Sequence, residues 1–425
     1  MILILFVLLF MMIGFGFSIW FSMCASGIAY ILIRGDVSLR LVASQMVGGV
    51  NSDTLIAIPF FILAGNLMSS TGITKKLTDF ADFFVGKYRA GLAYVSIVVS
   101  VFMAGISGSA VSDASSTSAV LHPIMKQRGY DDAFSAAINS SSAIVGPIIP
   151  PSIPMMTIGI ISGVSIGRMF VGGFIPGLLI ASVLWLLVTV QANRRKYRRV
   201  VQPRSFRTFL ALLKDTILAI IAPLIVISGV VFGFVTLVEV AALSILYILF
   251  ISLFVYRTLT WKVFFKTMKD TAVFSTSIMI IFAVVGLYQY IVASEQLGQQ
   301  LYEFIVSLNM SKNLFLFFTL IFFLLMGCVL DAVPVMLIFF PVLLPVAIGL
   351  GIDPVHYGVV TVLNLMIGLL TPPVGALLFI QTKIAKIGIN ELVKELVPHI
   401  TVLVLVLVLV TYVPQLILWL PGLVF

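Results

Sequence analysis

Apolar stretches recur along the whole chain, several of them long enough to cross about 30 Å of hydrocarbon. Ile175 to Val190 is a clear span, Leu55 to Met68 is a shorter apolar block, and Ala93 to Met103 leads into a polar cluster. Ile2 to Ile33 is apolar but interrupted by Gly14 and Gly16, which suits either one long tilted span or two short segments joined by a turn. Ile73 to Phe84 is amphipathic. It sets Ile73, Leu77, Phe80 and Phe84 on one helical face and Lys75, Lys76, Asp79 and Asp82 around the other, the pattern of a helix lying at a membrane interface. The pattern predicts an all-α polytopic integral membrane protein.

Two stretches do not fit a lipid-facing helix. Ala104 to Met156 crowds Gly105, Ser107, Gly108, Ser109, Ser112 and Asp113 together, then brings Pro147, Pro150, Pro151 and Pro154. Met326 to Phe379 carries Gly327, Asp331, Thr371, Pro372, Pro373 and Gly375. Broken backbone survives in a bilayer core only where protein or a polar cavity covers it. The Gly/Ser clusters are therefore expected to be tips of re-entrant hairpins, because glycine permits the sharp turn. The proline runs, about 146–154 and 370–376, are expected to be unwound, because proline cannot continue a regular helix.

Composition agrees: the chain is 61% hydrophobic and 10% charged. Ile2 to Phe10 has neither a basic flank nor a cleavage site of signal-peptide type, and is read as a retained membrane segment. Cys24 and Cys328 both stand in apolar surroundings, which argues against a disulfide framework or a thiol metal site. The net charge of +9 is concentrated in two gaps, one with Arg194, Arg195, Lys196, Arg198, Arg199, Arg204, Arg207 and Lys214, the other with Arg257, Lys262, Lys266 and Lys269. Short basic loops beside spans are the positive-inside signal. Both gaps are placed in the cytoplasm, and no nucleic-acid partner is expected.

The second half resembles the first. Gly16, Phe17, Ala25, Tyr30, Ile31 and Leu32 recur from Gly233 onward at an offset of 217 residues, Asp113 and Pro123 match Asp331 and Pro341 at 218, and Pro151 and Pro176 match Pro373 and Pro398 at 222. Two repeats are expected, 1–200 and 201–425, each with scaffold segments, a hairpin and an unwound helix. The modest charge of Arg34 and Arg40 against the strong charge of Arg257 to Lys269 favours insertion in opposite senses. A duplicated membrane chain with broken segments at matching places points to a secondary transporter with its site between the halves.

The candidate chemistry follows from the oxygen-rich breaks. Ser107, Ser109, Ser112 and Asp113, with carbonyls near Gly105, Gly108, Pro147 and Pro150, offer the hard oxygens an alkali cation prefers. Asp331, with Gly327 and the Thr371, Pro372 and Gly375 carbonyls, forms a second set. Half-helix N-termini carry partial positive charge and suit a carboxylate; the candidate substrate contacts are Ser116, Pro151, Ser152, Pro373 and Val374. The competing readings are structural. Membrane serines often bond back to their own helix, and either aspartate can cap a half-helix. His122 and His356 suit loop or interface positions rather than a proton relay, and Glu239 lies inside an apolar run. An embedded enzyme would need a nucleophile with its base or a metal cluster, which three His and two Cys do not supply. A channel would not need duplicated broken helices.

Several motifs, in order over nearly the whole chain, resemble the large membrane subunit of tripartite ATP-independent periplasmic (TRAP) transporters: LIAIPFFILAG from Leu55, GISGSAVSDA from Gly105, RGYDDAFSAA from Arg128, GPIIPPSIPM from Gly146, GCVLDA from Gly327 and LTPPVGALLF from Leu370. The resemblance implies a sodium-driven importer of a small organic acid, such as a sialic acid or C4-dicarboxylate, working by an elevator mechanism in the bacterial inner membrane. It also implies a small four-helix membrane subunit and a periplasmic substrate-binding protein as partners, with no cofactor besides Na+. A proton-coupled or stand-alone anion transporter of related fold is the alternative. Leu237 and Val238 stand where the family commonly has Pro-Thr before the glutamate matched by Glu239, and Asn66 where an acidic residue is frequent.

Overall fold

The computed structural model describes residues 2–197, 205–231 and 235–425. Among them every regular element is helical, and eight helices are long and apolar enough to cross a membrane. The expected boundary at 200/201, Arg198, Arg199, Arg204 and the first matched glycine of the second copy, Gly233, lie outside the described residues.

The first half runs α1 (Ile2–Gly14), α2 (Ile19–Arg34), α3 (Arg40–Val50), α4 (Ala57–Ser70), α5 (Ile73–Val85), α6 (Gly91–Ser107), α7 (Ala110–Gln127), α8 (Asp132–Ala143), α9 (Ile153–Ser162) and α10 (Ile166–Arg195). The second runs α11 (Phe206–Val231), α12 (Leu237–Phe250), α13 (Trp261–Ser294), α14 (Leu297–Ser307), α15 (Lys312–Val329), α16 (Ala332–Gly349), α17 (Pro354–Gly368), α18 (Ala376–Ala385) and α19 (Ile389–Tyr412), before two short C-terminal turns. The order repeats. The pairs α6–α7 and α15–α16 are the two hairpins, and α8–α9 and α17–α18 are the two interrupted helices.

Residues 2–33 form two helices packed on each other, turned at Gly16 with φ of +87°. The matched start of the two halves is offset by 217 residues, but the positive-φ cap that ends the next helix is Gly35 in the first half and Arg257 in the second, an offset of 222. Most of this difference lies at the end of that helix, where α12 continues as a π-helical segment, Ile251–Val255, that α2 lacks. The drift therefore arises inside a helix before the hairpins, not from loop insertions. From there on the register holds: Gly129 matches Gly351, both with positive φ, and Asp131 and Asp353 are the N-caps of α8 and α17. The pairing of Asp113 with Asp331 is corrected accordingly. Asp331 is the N-cap of α16, as Ser109 is of α7, and the counterpart of Asp113 is Val335.

Helices α2, α3 and α4 of the first half pack along α13 of the second. The α3–α13 crossing is a close one, because a Cβ at Gly49 would meet the Phe282 carbonyl at 2.5 Å and one at Gly286 the Gln45 carbonyl at 2.2 Å. Polar ties hold the same face: Asn66 Nδ2 donates to Thr271 Oγ1 at 3.0 Å and Thr267 Oγ1 to Ser70 Oγ at 3.0 Å. The second basic gap is partly helix, since Lys262, Lys266 and Lys269 occupy the first turns of α13. In α5, Ile73, Leu77 and Phe80 pack into the protein rather than lying free at a membrane interface, whereas Phe84 is exposed.

Glu239 completes a capping box: its carboxylate accepts from the Thr236 backbone N–H, and Thr236 Oγ1 accepts from the Glu239 N–H. The Pro-Thr pair is thus not needed to start α12. His356 is buried on α17, with Nε2 3.2 Å from the Val410 carbonyl, rather than in a loop. His122 is buried near the end of α7 and pairs with Asp132, which also holds Lys126.

Candidate ion and substrate site

Each hairpin tip docks on the break of its own half through backbone. In the first half the Ile153 N–H donates to the Gly108 carbonyl at 3.3 Å. Gly108 has φ of +58°, and a Cβ there would meet the Pro151 carbonyl at 2.5 Å, so the tip requires glycine twice over. In the second half the Val374 and Gly375 N–H groups both donate to the Cys328 carbonyl at 3.1 Å. A Cβ at Gly368 would lie 2.7 Å from the Gly327 backbone, so these two chains touch without side chains between them.

The tips meet at one small cavity of about 150 Å³, lined by Ser109 from hairpin 1, Pro147 from the first break, Asp331 from hairpin 2, and Phe274, Ser277 and Ile278 of α13. Asp331 accepts from the Ala332 N–H at 2.8 Å, is exposed, and lines this cavity. A larger cavity of about 470 Å³ adjoins it, sharing Ser109, Val111, Ile153 and Phe274 and adding Asn66, Ser107, Ser112, Ser116 and Asp270. The groove beyond, lined by Gln289, Gln296 and Gln299, shares no residue with the small cavity.

Asp113 is fully buried, and neither carboxylate oxygen has a hydrogen-bond partner. A Cβ at Gly146 would stand 3.0 Å from its Oδ2, so the first break sets a glycine against the carboxylate, while the nearby Ala143 carbonyl accepts from the Gly146 N–H at 3.1 Å. A bare buried carboxylate costs several kcal/mol unless it is protonated or paired. The oxygen donors here suit a small hard cation.

Other candidates separate into local and exposed roles. Gly105 packs on α11, where a Cβ would meet Pro223 Cβ at 2.3 Å. Ser116 Oγ bonds back to the Asp113 carbonyl at 3.3 Å while lining the larger cavity. Ser152 Oγ donates to the Pro147 carbonyl and accepts from the Met155 N–H as N-cap of α9, so its hydroxyl closes the break rather than facing the cavity. Pro150 and Pro151 are buried, whereas Pro372, Pro373 and Val374 are exposed. Thr371 Oγ1 bonds back to the Ile367 carbonyl at 2.9 Å. The cavity wall of Phe274, Ser277 and Ile278 carried no sequence signal, because α13 reads as one more apolar span. Gln381 did carry one, an amide inside the apolar run of α18.

Duplicated hairpins and interrupted helices meeting around a polar cavity in a helical membrane chain define a secondary transporter rather than an enzyme. Residues 5–416 match the family model of the tripartite ATP-independent periplasmic transporter, DctM component, and the chain belongs to that family. It is thereby one component of a tripartite system. The chain is 35% identical over 408 residues to the sialic acid TRAP transporter large permease protein SiaM of Vibrio cholerae, covering 96% of this chain and 95% of that one. It is 32% identical over 402 residues to the C4-dicarboxylate TRAP transporter large permease protein DctM of Pseudomonas aeruginosa, covering 94% of each. It is also 32% identical to the isethionate TRAP transporter permease protein DctMQ of Oleidesulfovibrio alaskensis, covering 97% of this chain and 65% of that protein. Among solved structures, the Alcanivorax borkumensis YdaH transporter shares the fold at a TM-score of 0.66 with 13% identity, over 88% of each chain.

Proposed function

We propose that the chain imports a small organic anion, of the sialic acid or C4-dicarboxylate class, by sodium-coupled transport across the bacterial inner membrane. The carrying observation is the meeting of both hairpin tips at one cavity, with Asp331 on its wall and Asp113 unpartnered behind the first tip. Sodium is the coupling ion in this reading, held by carboxylate, hydroxyl and carbonyl oxygens. The anion is held by backbone amides, hydroxyls and the bound cation, since no Lys or Arg lines the small cavity. The named substrates of SiaM and DctM supply the substrate class. A small membrane subunit and a periplasmic binding protein complete the assembly, the fused DctMQ relative supporting the former.

The halves are inverted, and the hairpins and breaks move as an elevator against the α2, α3, α4 and α13 scaffold. The basic run of Lys262, Lys266 and Lys269 supports a cytoplasmic start for α13. The larger cavity that shares lining residues with the site lies toward the start of α13, beside Asp270. The test is uptake into proteoliposomes holding the complete assembly under an imposed sodium gradient, with labelled sialic acid or succinate. Asp113→Ala and Asp331→Ala are expected to abolish sodium-dependent uptake without loss of expression; wild-type rates from both would overturn the ion assignment. Because a lone buried carboxylate also suits a proton, accumulation driven by a pH gradient without sodium would favour proton coupling.

A further inference from the structure

Beyond docking on its own hairpin, each interrupted helix reaches into the other half. The half-helix after the first break, α9, packs on α16 of hairpin 2, and the half-helix after the second break, α18, packs on α7 of hairpin 1. These two crossings differ in chemistry. No side-chain hydrogen bond joins α9 to α16 among the described residues. At the α18–α7 crossing the fully buried Gln381 meets the fully buried Ser118: Ser118 Oγ is 3.0 Å from Gln381 Oε1 and 2.7 Å from Nε2, and Nε2 also donates to the Ala114 carbonyl at 3.3 Å.

The position of this amide matters more than its presence. Ala114 follows Asp113, and Ser118 follows Thr117, whose buried Oγ1 has no partner either. The N-cap of α18 is Gly375, whose N–H donates to the Cys328 carbonyl of hairpin 2, three residues before Asp331. Hydrogen bonds from Gln381 and one half-helix therefore connect the stretch of α7 that carries Asp113 to the tip of the second hairpin. A leucine would fill the Gln381 site without needing partners, and a buried amide left unpaired costs about 1–3 kcal/mol. The amide ties α18 to one axial position of α7.

We propose that Gln381 is a positioning residue that couples the two cation sites, so that a cation bound at Asp113 fixes α7, and through Gln381 fixes α18 and the Asp331 tip for the second cation. This rests on the sodium reading above. By linkage the coupling is reciprocal, and occupation of either site strengthens the other.

The experiment is equilibrium binding of radiolabelled sodium to the purified membrane complex, with choline chloride holding ionic strength constant, alongside its melting temperature with and without sodium. For the wild type, sodium binding is expected to be sigmoidal with a Hill coefficient near the number of coupled sites, about 2. Gln381→Leu is expected to keep its melting temperature without sodium, lower the Hill coefficient to about 1 and move the sodium midpoint up about tenfold. Ser118→Ala, which leaves the Ala114 contact, is expected to fall between and serves if Gln381→Leu does not fold. A purely structural amide would lower the melting temperature equally at all sodium concentrations and leave the steepness unchanged, which would overturn the coupling alone. Non-cooperative sodium binding by the wild type would do the same. A wild-type complex indifferent to sodium would overturn the sodium reading and this inference together.

Discussion

The two hairpins share a backbone and differ in where they keep their charge. Hairpin 1 holds a carboxylate four residues into α7, sealed at 0% exposure behind a break whose prolines are all buried. Hairpin 2 holds its carboxylate at the N-cap of α16, open to the cavity, against a break whose Pro372, Pro373 and Val374 are exposed. The counterpart of Gly146, which faces a carboxylate, is Gly368, which faces backbone. Duplication preserved the tip-to-break docking, which depends on main chain and glycine. The charge moved by one helical turn, because side-chain chemistry is not bound by that docking.

The comparison can be broken most forcefully at Asp113. Asp113→Asn is expected to cut sodium-dependent uptake at least about 100-fold, equivalent to about 2.7 kcal/mol of lost stabilisation. The same exchange at Asp331 is expected to have a smaller effect, about tenfold, because solvent reaches that site and the amide still caps α16. Equal losses at the two positions, measured in the same vesicles, would erase the distinction between a sealed and an open carboxylate.

Glycine substitutions come next and should separate function from stability. Gly146→Ala sets a methyl 3.0 Å from the Asp113 carboxylate and is expected to weaken sodium affinity about tenfold, read as the sodium dependence of uptake. Gly368→Ala forces a methyl against the Gly327 backbone and is expected to destabilise the protein by about 1–3 kcal/mol, read as a fall in melting temperature at any sodium concentration. The smallest effect is expected at Ser152, whose hydroxyl is already committed to Pro147 and Met155. Ser152→Ala should cost about 1 kcal/mol of stability and leave the substrate KM unchanged in an uptake titration. A raised KM there would return Ser152 to the substrate site, where its sequence neighbourhood had put it.

Sequence reasoning reached the breaks because Gly, Ser and Pro runs inside an apolar chain are incompatible with continuous membrane helix, whatever surrounds them. The capping box of Glu239, by contrast, looked like a stray charge, because Thr236 and Glu239 reveal their reciprocal bonds only once the start of α12 is known. The aspartate match was misleading for a related reason: an offset read from isolated identities cannot detect residues taken up by the π-helical end of α12.

The sequence by itself determined that this chain is a duplicated membrane protein with two hairpins, two unwound segments and two aspartates near them, since hydrophobic length and backbone breaking are local properties. Only the tertiary structure decided which residues face one another. It placed Asp113 in a sealed site and Asp331 in an open one, brought α13 in as the cavity wall, and set Gln381 of the second half on Ser118 of the first. Contacts between residues more than two hundred positions apart leave no trace in local pattern, because they are fixed by how the two halves pack.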